Sequence, residues 1–316
     1  MGKQARLRAA RASAARVPGE IPVVSSREPC PCGSRLPYKD CHGRAAPRDR
    51  FVGRPFEGLP SEGDWIALRE FVPAATAPIS LVGRYSGTAA TVCTVLPGAY
   101  PAIHRADGSV LVAMQTQLPS SDPSRDVARA LIAAMDAEDG TAVADLPDAT
   151  DTVRLQDLVD ASAPLSVTVH ESFDFWLDGD ASDEVADSLD RANAAVVPTK
   201  RLSSVQAAYW CAVRDRNHVR WVWPYPESAT IDALARLHAG GDSALGEASR
   251  FVGSFRAHGV LVPVWDLAQD VTADAVEEPA AAFAKRMEDA LAVSTPLTAV
   301  ERRARDGLLN RQLTIR

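Results

Sequence analysis

The sequence predicts an α+β protein in which a short cysteine-rich segment precedes a larger body that ends in helices. Three observations support this prediction. Three of the five cysteines lie between residues 29 and 43, hairpin-like and helix-like patterns alternate over residues 64–275, and the pattern over residues 276–316 is helical. A length of 316 residues, with 46% hydrophobic and 24% charged residues, is ordinary for a globular protein with a sizeable core.

The first 25 residues are predicted to be a disordered basic tail. Residues 1–54 hold 12 Lys/Arg against 4 Asp/Glu, so this head carries a net charge of +8 and the rest of the chain carries −15. Such a head either contacts RNA, the ribosome or another polyanion, or it pairs with the acidic body, and both alternatives stay open. The start has no secretory apolar core and the chain has no membrane-spanning apolar run, so we expect a cytoplasmic protein.

The segment PCPCGSRLPYKDCHG, residues 29–43, brings together Cys30, Cys32, Cys41 and His42. A disulfide framework is unattractive, because two cysteines one residue apart would close a strained ring and three is an odd number. Three thiolates and one imidazole suit tetrahedral zinc, which replaces the hydrophobic core that so short a segment cannot build. Since all four positions are then filled by protein, the sequence predicts one structural Zn²⁺ and not a catalytic one. The alternative is a chance group of small buried cysteines.

This segment resembles the SEC-C motif, a zinc-binding segment found at the C-terminus of the SecA translocation motor and in many other bacterial proteins. The resemblance rests on eight positions: Cys30, Cys32, Gly33, Ser34, Tyr38, Lys39, Cys41 and His42. Leu36 and Pro37 depart from it, because a more basic pair is common there. In the motor the motif docks a chaperone and ribosomes, so the resemblance implies a protein partner here. It does not imply a motor, since the GxxxxGK[ST] loop that binds ATP is absent from the chain.

The order of the parts is also similar to a family of actinobacterial proteins with a basic tail, a SEC-C motif and a body that begins DWIALREFVPAATAPISLVG. The larger domain of that family has no assigned function. This second resemblance therefore implies a family for the body but no activity.

Residues 47–63 are predicted to be a linker, because arginine, proline and glycine are frequent in them. A helix is predicted from Asp64, with an apolar side that includes Trp65 and Leu68 and an end before Pro73. The α+β body therefore begins at this helix.

Two stretches of the body, residues 72–178 and 197–267, have similar patterns and predict a duplicated unit. Each contains a hairpin, a proline-containing loop and a helix, followed by a second helical piece and a strand that ends near a tryptophan. In the second stretch this second helical piece is SRFVGSFRAHG, residues 249–259. The alternative is that hairpins and helices alternate here as in any α+β protein, without duplication.

Helices are predicted over residues 276–316, with Pro279 and Pro296 at their starts. The second of them carries a basic face, which we interpret as solvated, formed by Arg302, Arg303, Arg305 and Arg311.

No catalytic residue is assigned from the sequence. His170, Ser172 and Asp174 have the composition of a triad and share one face of the predicted strand SVTVHESFDFW. Same-face neighbours on a strand lie roughly 6.6 Å apart, too far for the ~3 Å contact of a nucleophile with its base, so a polar sheet face is predicted.

Ser243 lies in GGDSALGEASRF, which is similar to a nucleophile elbow. Because a helical segment precedes it, Asp242 or Ser243 is predicted to cap the next helix.

Three further groups have structural interpretations. A solvated acidic helix face is predicted from the spacing of Asp183, Glu184, Asp187 and Asp190. Cys93 and Cys211 lie in apolar strands and are predicted to be buried thiols. The aromatic residues that either line a groove or form core are Trp210, Trp221, Trp223 and Tyr225.

We therefore expect a cytoplasmic adaptor or accessory protein that docks on a protein partner or the ribosome through the zinc-binding segment over residues 26–46. One alternative is an enzyme, such as a hydrolase, with a site assembled from distant residues of the body. Another is RNA contact through the tail of residues 1–25. An enzyme requires a concave pocket with convergent polar groups, whereas an adaptor requires an exposed apolar or charged surface.

Overall fold

The structure, a computed structural model, divides into two compact units, residues 1–50 and residues 51–316. The residues that it describes are 28–30, 36–37, 52–116, 120–144, 146, 153–177 and 183–310. The predicted tail, residues 1–25, lies outside them. No helix within the described ranges is both long enough and apolar enough to cross a membrane.

The first sheet of the larger unit has six strands, in the order β5-β3-β4-β2-β1-β6. The strands are β1 (Ala75–Ile79), β2 (Ala90–Cys93), β3 (Ala102–His104), β4 (Val110–Ala113), β5 (Thr141–Val143) and β6 (Thr168–Val169). All neighbours are antiparallel except β2 and β4, which are parallel. The helices of this part are α1 (Glu62–Glu70), α2 (Pro123–Met135), α3 (Leu155–Leu158) and α4 (Asp183–Ala194).

The second sheet has five antiparallel strands, in the order β10-β11-β9-β8-β7. They are β7 (Thr199–Arg201), β8 (Ala208–Val213), β9 (Arg216–Trp221), β10 (Ser249–Ala257) and β11 (Val260–Leu267). Three helices accompany this sheet: α5 (Glu227–Gly240), α6 (Asp274–Ala292) and α7 (Ala299–Leu309). The predicted α+β body with helices at its C-terminal end is confirmed.

The second sheet contributes to two hydrophobic clusters because its side chains alternate between two faces. Trp221 and Trp265 belong to a cluster that includes Phe283 of α6. Tyr209 belongs to another cluster, which includes Trp65 of α1 and much of the first sheet. The second sheet therefore lies between the two hydrophobic clusters and contributes side chains to both.

Residues 52–61, here called the strap, have no helix or strand but pack against the body. Phe56 is fully buried, and the Arg154 guanidinium donates to the Pro55 carbonyl over 2.7 Å. The hairpin between β10 and β11 turns at His258 and Gly259, both with positive φ, as a two-residue turn requires. A Cβ at Gly259 would lie 2.4 Å from the Gly53 carbonyl oxygen. The strap is therefore part of the body, although the sequence placed it in a linker.

Strand β10 lies at an edge of the second sheet and contains a β-bulge. Its register with β11 shifts between Phe251 and Gly253, so that Val252 has no partner residue in the ladder. The side chain of Arg250 pairs with Asp266 and is largely exposed. A bulge of this kind bends and twists the strand that carries it.

The predicted hairpin followed by a helix occurs twice, as β3, β4 and α2, and as β8, β9 and α5. The prediction of a second helical piece over residues 249–259 is wrong, because they form strand β10 and its turn. Buried residues occur at every second position, namely Phe251, Gly253 and Phe255, which is the period of a strand. The strands beside the two hairpins also differ, since β5 pairs with the first strand of its hairpin and β11 with the second. The similarity is limited to the hairpin and helix.

The helix predicted from Asp64 is confirmed as α1, which starts two residues earlier. The C-terminal helices are also confirmed, although α6 starts at Asp274 and includes Pro279. Helix α7 starts after Pro296, where Thr298 and Glu301 form a capping box.

A buried ion pair joins α1 to the second sheet. The Asp64 carboxylate is 1% exposed and accepts two hydrogen bonds from the Arg201 guanidinium, each of 3.0 Å. The Tyr209 hydroxyl donates to the same carboxylate over 2.6 Å. Burial, together with the neighbouring Asp64 charge, raises the pKa of Tyr209 well above its usual value, so this phenol stays protonated and remains a donor.

Replacement of Asp64 by alanine should lower the free energy of unfolding by about 2–4 kcal/mol, because it leaves the buried Tyr209 hydroxyl and the partly buried Arg201 guanidinium without their acceptor. Urea unfolding measures this change. The control is Glu57→Ala, which removes an exposed carboxylate 3.3 Å from Arg54 and should cost at most about 0.5 kcal/mol. If the two variants were equally stable, Asp64 would not anchor α1.

Candidate functional site

The smaller unit contains the predicted zinc ligands, of which the structure describes Cys30. Its side chain is buried, at 4% exposure, and its backbone N–H donates to the Leu36 carbonyl over 2.8 Å. Pro29 and Pro37 form an antiparallel bridge beside this hydrogen bond. The chain therefore reverses direction between Cys30 and Leu36. The other three predicted ligands lie outside the described residues: Cys32, Cys41 and His42.

This local geometry fits a cysteine-rich metal site. Cysteines close in sequence reach one ion only where the backbone turns tightly, and Cys30 starts such a reversal. Three thiolates and one imidazole are the donor set that structural zinc prefers. Elsewhere, no group of three His, Cys, Asp or Glu in the described ranges is arranged to hold a metal ion.

The residues His170, Ser172 and Asp174 do not form a triad. The prediction that they share a strand face is wrong, because β6 ends at Val169 and a short 3₁₀ turn starts at Asp174. The His170 Nε2 atom lies 2.8 Å from the Thr76 hydroxyl instead. Burial lowers the pKa of His170, which favours its neutral form.

The prediction that Asp242 or Ser243 caps the next helix is wrong, because the next element is strand β10. The Ser243 hydroxyl lies 3.1 Å from the His238 Nδ1 atom, and the Ser243 carbonyl accepts from the Trp265 indole over 2.8 Å. A serine activated by histidine also needs a group that orients the imidazole. No described acid is bonded to His238, so this pair lacks the third member of a catalytic triad.

The buried-thiol prediction is confirmed. Cys93 is fully buried and Cys211 is 4% exposed. Burial raises the pKa of Cys93 to about 12 and also raises the pKa of Cys211. Since the thiolate is the reactive form, neither cysteine has the properties of a nucleophile.

The two predicted charged faces lie on helices α4 and α7. The acidic residues at 183–190 lie in α4, as the spacing predicted. On the basic face of α7, Arg302 and Arg303 are exposed, and Arg305 pairs with Asp232 over 2.6 Å. Arg311 lies outside the described residues. The solvated interpretation therefore holds for the two exposed arginines.

The aromatic cluster contributes to a cavity of about 590 Å³ beside the start of α1, here called the α1 cavity. Trp221, Trp223 and Tyr225 line it, and Trp221 and Trp223 also belong to a hydrophobic core cluster, so both predicted alternatives hold for these two residues. Trp210 is elsewhere, and its indole donates to the Val271 carbonyl over 3.0 Å. This volume is within the range of clefts that bind small ligands.

The first turn of α1 forms the wall opposite these aromatic residues. Glu62 and Asp64 line the α1 cavity, but each carboxylate is already bound by an arginine, Arg54 and Arg201 respectively. Sequence reasoning did not find this wall, because Asp64 and Arg201 are 137 residues apart. The only local signal is the glycine between the two acids. A Cβ at Gly63 would lie 2.6 Å from the Ala207 Cβ, so glycine lets the helix start approach this loop closely.

Comparison with known proteins confirms the resemblance found in the cysteine-rich segment. Residues 27–44 match the SEC-C motif, and residues 55–316 match the family described as a family of unknown function (DUF5926). A stretch of 38 residues is 50% identical to the protein translocase subunit SecA of Ralstonia nicotianae (strain ATCC BAA-1114 / GMI1000). That stretch is 12% of this chain and 4% of that relative. No solved structure matches the chain.

Replacement of Gly63 by alanine should lower the free energy of unfolding by about 1–3 kcal/mol, because the added methyl group overlaps Ala207. Urea unfolding again provides the measurement. Gly307, in helix α7, is the matched control, since a Cβ there meets nothing within 4 Å. Gly307→Ala should stabilise the protein by up to about 1 kcal/mol. A Gly63→Ala variant as stable as the parent would show that the loop at Ala207 moves away freely.

Proposed function

We propose a function for this chain, which belongs to the DUF5926 family of unknown function, from its motif and from its own residues. We infer that it is a cytoplasmic adaptor or accessory protein. Its SEC-C motif binds one structural Zn²⁺ through Cys30, Cys32, Cys41 and His42 and docks on a protein partner. The observation that carries this proposal is the SEC-C match over residues 27–44.

Two further observations support zinc binding. The donor set of three thiolates and one imidazole suits tetrahedral Zn²⁺, and the described ligand, Cys30, starts a tight chain reversal. Bound zinc would supply the folding energy that so short a segment lacks. The arginines near the motif, Arg27, Arg35 and Arg44, offset the net negative charge of a site with three thiolates.

The body supports an adaptor more than an enzyme. The candidates for a nucleophile or base do not meet in a complete site within the described ranges: the His170 group is dispersed, and the Ser243 and His238 pair has no orienting acid. The buried thiols have raised pKa values. We therefore propose a body without catalytic activity.

A second candidate function is contact with RNA or the ribosome through the basic head. The observation that favours it is the net charge of +8 over residues 1–54 of an otherwise acidic chain. Such contacts release counterions from the phosphates, so the affinity would fall steeply with added salt.

The purified protein should contain about one zinc ion per chain, as elemental analysis would measure. Cys41→Ser should lose this zinc while the body stays folded, because Cys41 is outside the body. The matched control is Cys93→Ala, which changes a thiol of the body and should keep the metal. A full zinc content in Cys41→Ser would contradict the assignment of ligands.

Binding to purified bacterial ribosomes, measured by co-sedimentation of the full-length protein over a range of salt concentrations, separates docking through the motif from contact through the tail. If the motif docks, Cys41→Ser should lose binding at every salt concentration. If the tail binds rRNA, a variant with Arg6, Arg8 and Arg11 changed to alanine should bind more weakly and with a flatter salt dependence.

These outcomes are independent of the zinc measurement. Equal binding by the parent and both variants would contradict both routes. No binding by the parent at low salt would exclude the ribosome as the partner, and the nucleic-acid candidate would be dropped.

A further inference from the structure

A second cavity, of about 500 Å³, is lined by the last turn of helix α5, the loop that follows it and the start of strand β10. It is here called the β10 cavity. Its lining includes His238, Ser243, Ala244, Arg250, Phe251 and Val252. None of the described residues that line it is Asp or Glu, although the whole chain has a net charge of −7. The charged side chain of the lining is that of Arg250, so this cavity favours an anion.

The Arg250 guanidinium keeps more positive charge than its partner neutralises. It donates to one Asp266 carboxylate oxygen over 3.0 Å, but the same oxygen also accepts from Arg216 over 3.0 Å. His218 lies 3.0 Å from the other oxygen. Two guanidinium groups thus share one carboxylate. This contact fixes one nitrogen of Arg250, whose side chain is 71% exposed, and its other N–H groups are free to bind an anion.

The loop between α5 and β10 directs a backbone donor away from the core. The Ser243 carbonyl accepts from the indole of Trp265, which is fully buried. In a planar trans peptide the carbonyl and the following N–H point in opposite directions, so the Ala244 N–H points away from Trp265. This N–H has no acceptor among the described residues, and Ala244 lines the cavity. Free backbone N–H groups of this kind bind anions in many loops.

The pair formed by His238 and Ser243 adds a further donor. The Ser243 hydroxyl lies 3.1 Å from the His238 Nδ1 atom, and both residues line the cavity. If the hydroxyl donates to Nδ1, the neutral imidazole carries its proton on Nε2. If Nδ1 carries the proton and donates instead, the hydroxyl hydrogen is released. In either tautomer the pair therefore keeps one N–H or O–H group for a ligand.

The number of donors favours a phosphate group over a carboxylate. A phosphate monoester has three free acceptor oxygens and a charge of about −1.5 to −2 near neutral pH, so it can accept from all three donor groups at once. A carboxylate has two oxygens and one charge. Phe251 and Val252 also line the cavity and offer it apolar surface, which suits a carbon group attached to the phosphate.

We propose that the β10 cavity binds a small organic phosphate. Its phosphate oxygens accept from the Arg250 guanidinium, the Ala244 N–H and the pair of His238 and Ser243. Its carbon part lies against Phe251 and Val252. This binding goes beyond docking through the SEC-C motif, and it gives the body a ligand of its own.

The test uses full-length protein and the probe phenyl phosphate, with affinities measured by isothermal titration calorimetry. Inorganic phosphate should compete but bind more weakly, because it lacks the apolar part. Benzoate should bind at least about fivefold more weakly than phenyl phosphate, since it has fewer acceptor oxygens and less charge. Phenol, which has no charge, should not bind measurably.

Arg250→Ala should weaken binding of phenyl phosphate about tenfold, the loss expected for a hydrogen bond between charged groups. The matched control is Arg256→Ala on the same strand. Arg256 has a carboxylate of its own, Glu227 at 2.6 Å, and does not line the cavity, so its loss should change the affinity less than about twofold. Both arginine side chains are largely or partly exposed, and urea unfolding verifies that both variants fold.

A spectroscopic measurement locates the ligand. In protein labelled with ¹⁵N-alanine, Ala244→Ser identifies the Ala244 N–H signal by its loss. Phenyl phosphate should shift this signal in the parent protein, because the proposed site uses this N–H.

Four results would overturn the proposal: no binding of phenyl phosphate at millimolar concentration, equal affinity for phenol, equal losses in Arg250→Ala and Arg256→Ala, or an Ala244 signal that stays unmoved while phenyl phosphate binds. Equal losses in the two arginine variants would mean attraction to the surface charge in general. The zinc content and the ribosome binding are measured separately, so failure of this site is distinguishable from failure of the motif.

Discussion

The body depends on one buried carboxylate. Asp64 lies in the first turn of α1 and receives hydrogen bonds from Arg201 on β7 and Tyr209 on β8, so a single side chain fixes the helix against two strands. An uncompensated charge at this position would be costly, and the geometry is therefore specified closely. The strap directly precedes this helix. Its Arg54 guanidinium forms a second two-bond ion pair, with the carboxylate of Glu62 in the same helix turn. These two ion pairs therefore join the start of α1 to the second sheet and to the strap.

Much of the fold could be predicted from local sequence, and the failures have physical reasons. Apolar spacing and Pro73 predicted α1, and turn residues predicted the hairpins. Residues 249–259 were predicted to be helical by analogy with the second helical piece of the first stretch. Their two phenylalanines, four residues apart, suit either a helix or alternate positions of a strand. Pairing with β11 decided the outcome, and that pairing depends on tertiary contacts. The strap was predicted to be a linker because its composition does not show that Phe56 is buried.

One part of the candidate site could be predicted from local sequence, and the other part could not. The SEC-C motif is contiguous, so it could be recognised from the local sequence, and its four zinc ligands stay a prediction. The α1 cavity is assembled from the start of α1, the loop before β8, the end of β9 and helix α6, which are distant in sequence. The density of aromatic residues left a groove as one of two alternatives, but it could not show that Glu62, Gly63 and Glu288 line the same cavity. Such facts depend on the relative placement of elements, which no local pattern encodes.

The bulge in β10 has a consequence for how this body behaves in a crowded cell. An edge strand of nine residues presents a row of backbone groups that a foreign strand could pair with, which leads to aggregation. The shifted register at Val252 interrupts that row, and the charged side chains of Arg250 and Arg256 lie on either side of it. An incoming strand would have to leave a residue unmatched and pass two arginines that are already ion-paired, Arg250 with Asp266 and Arg256 with Glu227. Pairing of this edge with a strand from another chain would therefore require the bulge in β10 to rearrange first.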